Sequence, residues 1–139
     1  MHSHEVTPAI ADIFQKQDGI QLEIRLNLEA LLSGIDLSDI SNTDEATQSA
    51  EYDFYRGMSA VDLKSNFSEL WPNLKNEIQI KQDNELVDLK LQNILVEDQK
   101  NFEYPRFTTV ICSVKLDPRR SFSFQSVSYT HLRAHETRP

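Results

Sequence analysis

Residues 20–27 alternate strictly between apolar and polar side chains, and few folds accommodate such a segment. The apolar positions are Ile20, Leu22, Ile24 and Leu26, and the polar positions are Gln21, Glu23, Arg25 and Asn27. Successive side chains of a strand point to opposite faces, so the alternation predicts a strand with one buried and one solvated face. Such a strand requires partner strands and a second layer over its apolar face, which favours a layered β-rich domain.

The hydrophobic period changes at Asn27, where the spacing becomes helical. The apolar residues that follow are spaced for one side of a helix: Leu28, Leu31, Leu32 and Ile35. Asn27 suits the N-cap position and Gly34 suits a C-terminal stop, so we predict a short helix between them.

The alternating strand is expected to pair with a strand that precedes it. Residues 6–14 have the composition of a first strand, with Pro8 near its start, where a missing ladder donor is tolerated. Residues 15–19 are polar and end in Asp-Gly, a sequence typical of hairpin turns. The two strands are therefore predicted to be antiparallel neighbours.

A helical segment interrupts the strand patterns in the middle of the chain. Residues 51–58 are compatible with a short helix that ends before Ser59. Ser59 has the properties of an N-cap, with Asp62 three residues later as an acidic variant of the capping box. Apolar residues then follow at helical spacing, and Pro72 interrupts them. Proline removes a helical hydrogen bond, so Pro72 is expected to end or kink the helix near Leu70, and we predict a helix over residues 60–70.

Strand patterns resume after the helical segment. A turn is predicted at residues 82–85 and a bulge at Gln92-Asn93, where the alternation changes phase. The predicted strands cover residues 77–80, 86–96, 107–116 and 121–125. Several short strands with turn signals, and one helical insertion at about residues 50–71, predict a mainly β fold, an antiparallel Ig-like β-sandwich.

The bulk composition indicates one domain and argues against some functions. With 139 residues, the chain is long enough for one core and too short for two. Its net charge of -8, without a basic stripe and interleaved aromatic residues, argues against nucleic-acid binding. Cys112 is the single cysteine, so no intrachain disulfide can form. No apolar run has the length of a membrane span, and the first residues lack a signal-peptide pattern.

Residues 127–139 differ in character from the rest of the chain. Residues 127–137 read V-S-Y-T-H-L-R-A-H-E-T, which resembles the in-frame translation of a sequencing adapter. We therefore interpret residues 127–139 as a non-native read-through tail and exclude them from the fold prediction. The exclusion removes His131 and His135, whose spacing of four suits two metal ligands on one helical face.

This interpretation has two consequences for the domain. The natural chain is expected to continue beyond Ser126, so residues 1–126 are expected to form an incomplete domain that is truncated at its C terminus. A partner strand for the segment that contains Phe122 and Phe124 is then expected to be missing.

Two histidines near the N terminus are the candidate metal ligands. If processing leaves a free amine nearby, that amine and the imidazoles of His2 and His4 have the chemistry to bind Ni²⁺ or Cu²⁺. The alternative is a solvated terminus without bound metal, which the usual mobility of chain ends favours. Calorimetric titration of Ni²⁺ into a His2→Ala/His4→Ala variant distinguishes the two, because unchanged affinity rejects the site.

The candidate ligand or partner surface is aromatic. It comprises Tyr52, Phe54, Tyr55 and Trp71, which accompany Phe67 in the helical segment. Packing of the helices on the core is the commoner cause of such residues, and both interpretations stay open. Before the tail, the sequence has no recognisable nucleophile with a base, so we expect no catalytic residues and a protein that is not an enzyme.

Two short motifs resemble a family of membrane proteins. Residues 4–9 read H-E-V-T-P-A, and residues 26–37 read L-N-L-E-A-L-L-S-G-I-D-L. Both resemble the N-terminal extracytoplasmic domain of HupE/UreJ-like proteins, the hydrogenase and urease accessory proteins. The resemblance covers nearly all of residues 1–125 through motifs that are structural rather than catalytic. It implies a sandwich-like domain that is followed by a bundle of membrane helices.

The resemblance also implies a role and a location. Proteins of this family are proposed to take up nickel or a related metal for metalloenzyme assembly, and their presumed metal ligands lie in the membrane helices. The resemblance thus implies a non-catalytic periplasmic domain at the bacterial inner membrane, with no cofactor of its own and with its own C-terminal membrane helices as partner. The alternative is a free periplasmic module that binds a ligand or a metal.

Overall fold

A computed structural model describes residues 9–33, 49–98, 106–126 and 133–137. Within these ranges the chain forms the following elements: β1 (Ile10–Lys16), β2 (Gly19–Leu26), α1 (Leu28–Leu32), α2 (Ser49–Arg56), α3 (Ala60–Glu77), β3 (Ile78–Gln82), β4 (Glu85–Val87), β5 (Leu89–Val96), β6 (Thr108–Lys115), β7 (Ser123–Ser126) and β8 (Arg133–Thr137). The predictions for residues 6–8 and for Gly34 lie outside the described residues.

Two sheets and a helical insertion make up the fold. The larger sheet has the strand order β5-β6-β2-β1-β8, and the smaller sheet has the order β4-β3-β7. Every pairing in them is antiparallel except that of β1 with β8, which is parallel. The prediction of a mainly β, antiparallel, sandwich-like fold with a short helical insertion is confirmed.

The alternating strand β2 lies at the centre of the larger sheet. Leu22 and Ile24 are fully buried, whereas Arg25 on the other face is exposed. β1 and β6 pair with the two edges of β2, so the predicted hairpin of β1 and β2 is confirmed. Buried residues of both sheets and of the helices form one core, which includes Ile80 of β3 and Leu63 of α3.

Gly19 begins β2 at a point where β6 passes very close. A Cβ atom at this position would overlap the backbone carbonyl oxygen of Val114. Gly19→Ala is therefore expected to lower the free energy of unfolding by about 1–3 kcal/mol, because a strand backbone must shift to accommodate the methyl group. Gly57→Ala is the matched control, since its Cβ would lie 3.6 Å from the nearest atom, the carbonyl oxygen of Phe54. Urea denaturation measures both, and equal losses would contradict the prediction.

The helical insertion is longer than predicted. Ser59 is the N-cap of α3 and accepts a hydrogen bond from the backbone N–H of Asp62, as predicted. The predicted helix end near Pro72 is wrong, because α3 continues through this residue. Phe67 and Leu74 are buried on either side of the proline, and their burial offsets the helical hydrogen bond that Pro72 cannot donate.

The predicted strand over residues 86–96 is divided in the structure. β4 pairs with β3 in the smaller sheet and β5 pairs with β6 in the larger sheet, so the chain changes sheet at Asp88. Lys75 of α3 forms an ion pair with Asp88 at 2.7 Å, next to this crossing. The predicted bulge is confirmed, since the register of β5 shifts between Leu91 and Asn93.

Side chains join the two sheets at one corner of the fold. The amide group of Gln82, at the end of β3, donates to the carbonyl oxygen of Asp117 at 2.8 Å and accepts from its backbone N–H at 3.0 Å. Asp117 follows β6, so this Gln82–Asp117 corner connects the smaller sheet to the larger one. Asp83 and Asn84 form the predicted turn beside it, with φ angles of 56° and 65°. Arg120 forms an ion pair with Asp83 at 2.8 Å.

The C-terminal strands differ from the predictions. β7 pairs with β3, with Phe124 opposite Ile80, so the prediction that the segment of Phe122 and Phe124 lacks a partner strand is wrong. The residues excluded as a tail contribute β8, which pairs with β1. Backbone groups pair irrespective of the origin of a segment, so the interpretation of residues 127–139 as non-native stays a prediction.

Candidate functional site

Several polar side chains are buried where the helices meet the larger sheet. They are Asn27, Glu29, Tyr52, Arg56 and Arg106, and each residue is at most 3% exposed. We refer to these five residues as the buried polar cluster. Burial of charged groups costs free energy unless the groups are paired and hydrogen-bonded, so the contacts within the cluster decide what it contributes.

Asn27 links the start of α1 to α2. Its side-chain oxygen accepts a hydrogen bond from the backbone N–H of Ala30 at 3.2 Å, which confirms the predicted N-cap. Its side-chain nitrogen donates to the hydroxyl oxygen of Tyr52 at 3.0 Å. One amide group therefore both caps α1 and holds α2 against it.

Arg106 connects three parts of the chain that are far apart in sequence. Its Nε donates to Glu29 Oε2 at 3.3 Å, and the two side chains are 2% and 0% exposed. Its Nη2 donates to the carbonyl oxygens of Tyr55 at 3.1 Å and Met58 at 2.7 Å. These carbonyl groups lie at the end of α2 and in the turn after it, where the α-helical hydrogen bonds stop. The carbonyl oxygen of Tyr55 also accepts from the backbone N–H of Met58 at 3.1 Å. Arg106 thus joins α1, the C-terminal end of α2 and the start of β6.

Burial dominates the electrostatics of the cluster. It raises the pKa of Glu29 above its ordinary value, although a backbone hydrogen bond and the charges of Arg106 and Arg56 act in the opposite direction. Burial also raises the pKa of Tyr52, against its hydrogen bond with Asn27 and the charge of Arg56. The Cζ atom of Arg56 lies 5.9 Å from the centre of the Tyr52 ring, within cation–π range.

The geometry of the cluster suits positioning and does not suit chemistry on a substrate. Its members are almost inaccessible, so a ligand in solution cannot contact them without an opening of the fold. Their hydrogen bonds instead fix the helical insertion against the larger sheet. Within the described residues, Glu29 Oε1 and Arg106 Nη1 have no hydrogen-bond partner, which adds to the desolvation cost that the other contacts offset.

Sequence reasoning missed Glu29, Arg56 and Arg106 as members of one cluster. A signal for Glu29 was present, because it is the only charged residue in the helical run L-E-A-L-L of α1. A lone charge between apolar neighbours in a short helix indicates a buried partner. Nothing local to Arg106 identifies it as that partner, since the two residues are 77 positions apart.

The aromatic residues that were predicted as a ligand surface occupy different environments. Tyr52 is fully buried in the polar cluster, whereas Phe54 is 59% exposed on the same helix. The ring centres of Phe54 and Tyr55 are 5.3 Å apart, and those of Phe67 and Trp71 on α3 are 5.9 Å apart. The structure therefore places Tyr52 in the core, and the ligand role of the other residues stays a prediction.

The predicted metal ligands His2 and His4 lie outside the described residues. Among the residues that the structure describes, no three His, Cys, Asp or Glu side chains come together as a metal-binding group. In the same part of the chain, no helix is both long and apolar enough to cross a bilayer.

Cys112 is fully buried in β6, and this burial raises the pKa of its thiol to about 12. Because the folded-state pKa is raised, the thiol contributes stability that is present below pH 9 and is lost as the pH rises towards 12. We expect the free energy of unfolding to fall more steeply over this range in the parent than in Cys112→Ala. Urea denaturation at several alkaline pH values measures the two slopes, and identical slopes would contradict the prediction. As a second expected result, the Cys112 thiol of the folded protein should react slowly with a disulfide reagent, because the thiol is buried and the thiolate is the reactive form.

Comparisons with known proteins add no family assignment. No protein-family model, no curated protein and no solved structure matches this chain. The family of the chain therefore stays a prediction that depends on its two short sequence motifs.

Proposed function

We propose that this chain is the extracytoplasmic β-domain of a polytopic membrane protein of the HupE/UreJ type. The domain is not catalytic, and it serves a protein that takes up nickel or a related metal for metalloenzyme assembly. It lies on the periplasmic side of a bacterial inner membrane. In the natural protein the chain continues past Ser126 into membrane helices, which are the partner of the domain and carry the metal as cargo.

The observation that carries this proposal is the place in the fold of residues 26–33, the part of the longer motif that the structure describes. Residues 26–33 connect β2 to α1, and each of them except Leu32 is buried. Asn27 and Glu29 within this motif are members of the buried polar cluster. The motif therefore contributes to the way in which the helical insertion is held against the larger sheet. A motif with a structural role of this kind supports a resemblance in fold and does not require shared catalytic residues.

The burial of the motif supports a role as a scaffold rather than as an active site. Catalysis or metal transfer requires groups that a substrate can reach, whereas Asn27, Glu29 and Arg106 are buried and the hydrogen bonds that they form lie within the fold. A domain of this kind contributes a shaped and stable surface beside the membrane. The metal chemistry then belongs to the helices that follow.

Sequencing of the parent gene beyond the codon for Ser126 tests the proposal directly. We expect several apolar stretches of about 20 residues, each long enough to span a bilayer as a helix. A stop codon soon after Ser126 would reject the membrane protein and favour the free periplasmic module. Sequencing also shows whether residues 127–139 are encoded by the genome.

Localisation of the full-length gene product provides a second test. Expressed in bacteria with a C-terminal tag, the protein should remain in membranes after an alkaline carbonate wash. Protease added to spheroplasts should remove the domain and leave the helices protected. A matched version that lacks the apolar stretches should appear in the soluble fraction, and recovery of both versions there would contradict the proposal.

A further inference from the structure

The strand β5 lies at one end of the larger sheet and has an open edge. It pairs with β6 along one edge, and among the described residues no strand pairs with its other edge. Antiparallel strands direct successive backbone groups to alternate edges, and the N–H of Glu97 donates to the carbonyl oxygen of Phe107 beside β6. The backbone groups of Ile94 and Val96 therefore point to the open edge. In agreement, the N–H of Ile94 donates to Asn93 Oδ1 at 2.8 Å and not to β6.

An apolar groove lies beside this edge, between β5 and the first turns of α3. All but one of its lining residues are aliphatic: Ala60, Val61, Lys64, Ile94, Leu95 and Val96. Val61 is 75% exposed and Leu95 is 52% exposed. Single exposed apolar residues are usual on protein surfaces, but these two flank a row of backbone groups that lacks a partner strand. A strand paired with the β5 edge covers both the backbone groups and the groove.

The charges on β5 favour a second copy of the same strand as the partner. Lys90 lies near the start of β5, and Glu97 follows its last residue. Both lie on the outer face of the sheet, since Lys90 is opposite Ser113 and Glu97 lies two residues beyond the exposed Leu95. Two antiparallel copies of β5 bring the positive end of each strand next to the negative end of the other, whereas parallel copies bring like charges together.

We propose that two copies of this chain associate through antiparallel pairing of their β5 edges, about a two-fold axis at Ile94. In this register Ile94 lies opposite the same residue of the second copy. Beyond the bulge of β5, Val96 lies opposite Leu91 and Glu97 lies opposite Lys90 of the second copy. The two larger sheets become one continuous sheet, and the symmetry repeats each of these contacts. This pairing is independent of the proposed function, since it requires no membrane helices.

The register also matches the apolar side chains. Leu91 and Val96 are opposite the buried residues Cys112 and Thr108 of β6, so both face the core side of the sheet. Leu91 of the second copy therefore lies next to Val96 at the apolar groove, on the side where α3 borders it. A bulge and a charged residue protect an edge strand from unselective pairing. In β5 the same two features exclude most other strands and are matched by a second copy of β5.

An exchange of the two charges tests this pairing. Lys90→Glu and Glu97→Lys each place like charges opposite each other at both ends of the paired strands, so each should raise the dissociation constant of the dimer about tenfold or more. The double variant Lys90→Glu/Glu97→Lys restores opposite charges, and its dissociation constant should lie within about threefold of that of the parent. Sedimentation velocity over a range of protein concentrations measures these constants.

Glu85→Lys is the matched control, because it makes the same charge change at an exposed position on β4, at an edge of the smaller sheet. Its dissociation constant should not rise. A general reduction of the repulsion between acidic chains predicts that Glu97→Lys strengthens association, whereas the pairing of β5 predicts that it weakens association. A parent chain that stays monomeric at the highest concentration, a double variant that dimerises no better than the single variants, or an equal loss in Glu85→Lys would overturn the proposal.

Discussion

Arg106→Met is expected to lower the free energy of unfolding by about 3–5 kcal/mol, the usual cost of removing one partner from a buried ion pair. The substitution leaves the Glu29 carboxylate buried without its 3.3 Å contact. It also removes the donor to the carbonyl oxygens of Tyr55 and Met58 at the end of α2. Because these bonds are lost, the helical insertion should unfold before the larger sheet does.

Urea denaturation, followed by circular dichroism, measures this effect. Arg25→Met is the matched control, because Arg25 forms an ion pair with Asp12 at 3.6 Å but is 52% exposed. Its loss should change the free energy of unfolding by less than about 1 kcal/mol. The double variant Glu29→Met/Arg106→Met should recover part of the stability, since it removes both members of the buried pair. A loss below about 1 kcal/mol in Arg106→Met would contradict the importance of the pair.

The loss in Arg106→Met should depend on pH through Glu29. The folded-state pKa of Glu29 is raised by burial, so its contribution to stability is present below its unfolded pKa and is lost as the pH rises through the folded pKa. Removal of Arg106 removes a charge that lowers this pKa, and the pKa of Glu29 rises further. The difference in stability from the parent should therefore be larger at about pH 7 than at about pH 4.5.

Leu22→Ala is expected to lower the free energy of unfolding by about 2–5 kcal/mol, because it leaves a cavity in a close-packed core. Leu22 is fully buried on β2, the strand that pairs with both β1 and β6. A cavity at this position therefore removes contacts from the centre of the larger sheet.

The matched control for this prediction is Leu86→Ala. The chemistry of the substitution is the same, but Leu86 is 65% exposed on β4. We expect a change within about 0.5 kcal/mol, as for most surface substitutions. The measurement is the midpoint of urea denaturation, compared between variants whose free energies of unfolding have the same dependence on urea concentration. Similar losses at the two positions would contradict the burial of Leu22 in β2.

The elements that the sequence predicted correctly depend on local patterns. The alternation over β2 predicted its two faces, since burial on one side requires a period of two. Asn27 and Ser59 were identified as N-caps because their side-chain oxygens can accept a hydrogen bond from the backbone N–H three residues later, as both do in the structure. The bulge in β5 was visible as a change of phase in the alternation.

The elements that the sequence could not predict depend on tertiary contacts. Local propensity places a helix end near Pro72, but burial of Leu74 beyond it outweighs this preference. Val87 and Leu89 continue one alternating pattern, and no local signal shows that they belong to different sheets. The pairing of Glu29 with Arg106 closes a long loop, and the composition around either residue does not identify the other.

The Gln82–Asp117 corner has a consequence for the way in which the domain unfolds. The side chain of Gln82 pairs with Asp117 as a neighbouring strand would, because it donates one hydrogen bond to the backbone carbonyl of this residue and accepts another from its backbone N–H. Neither sheet can separate at this corner without breaking bonds that belong to the other. The two layers should therefore melt in a single cooperative transition, with the calorimetric and van't Hoff enthalpies equal.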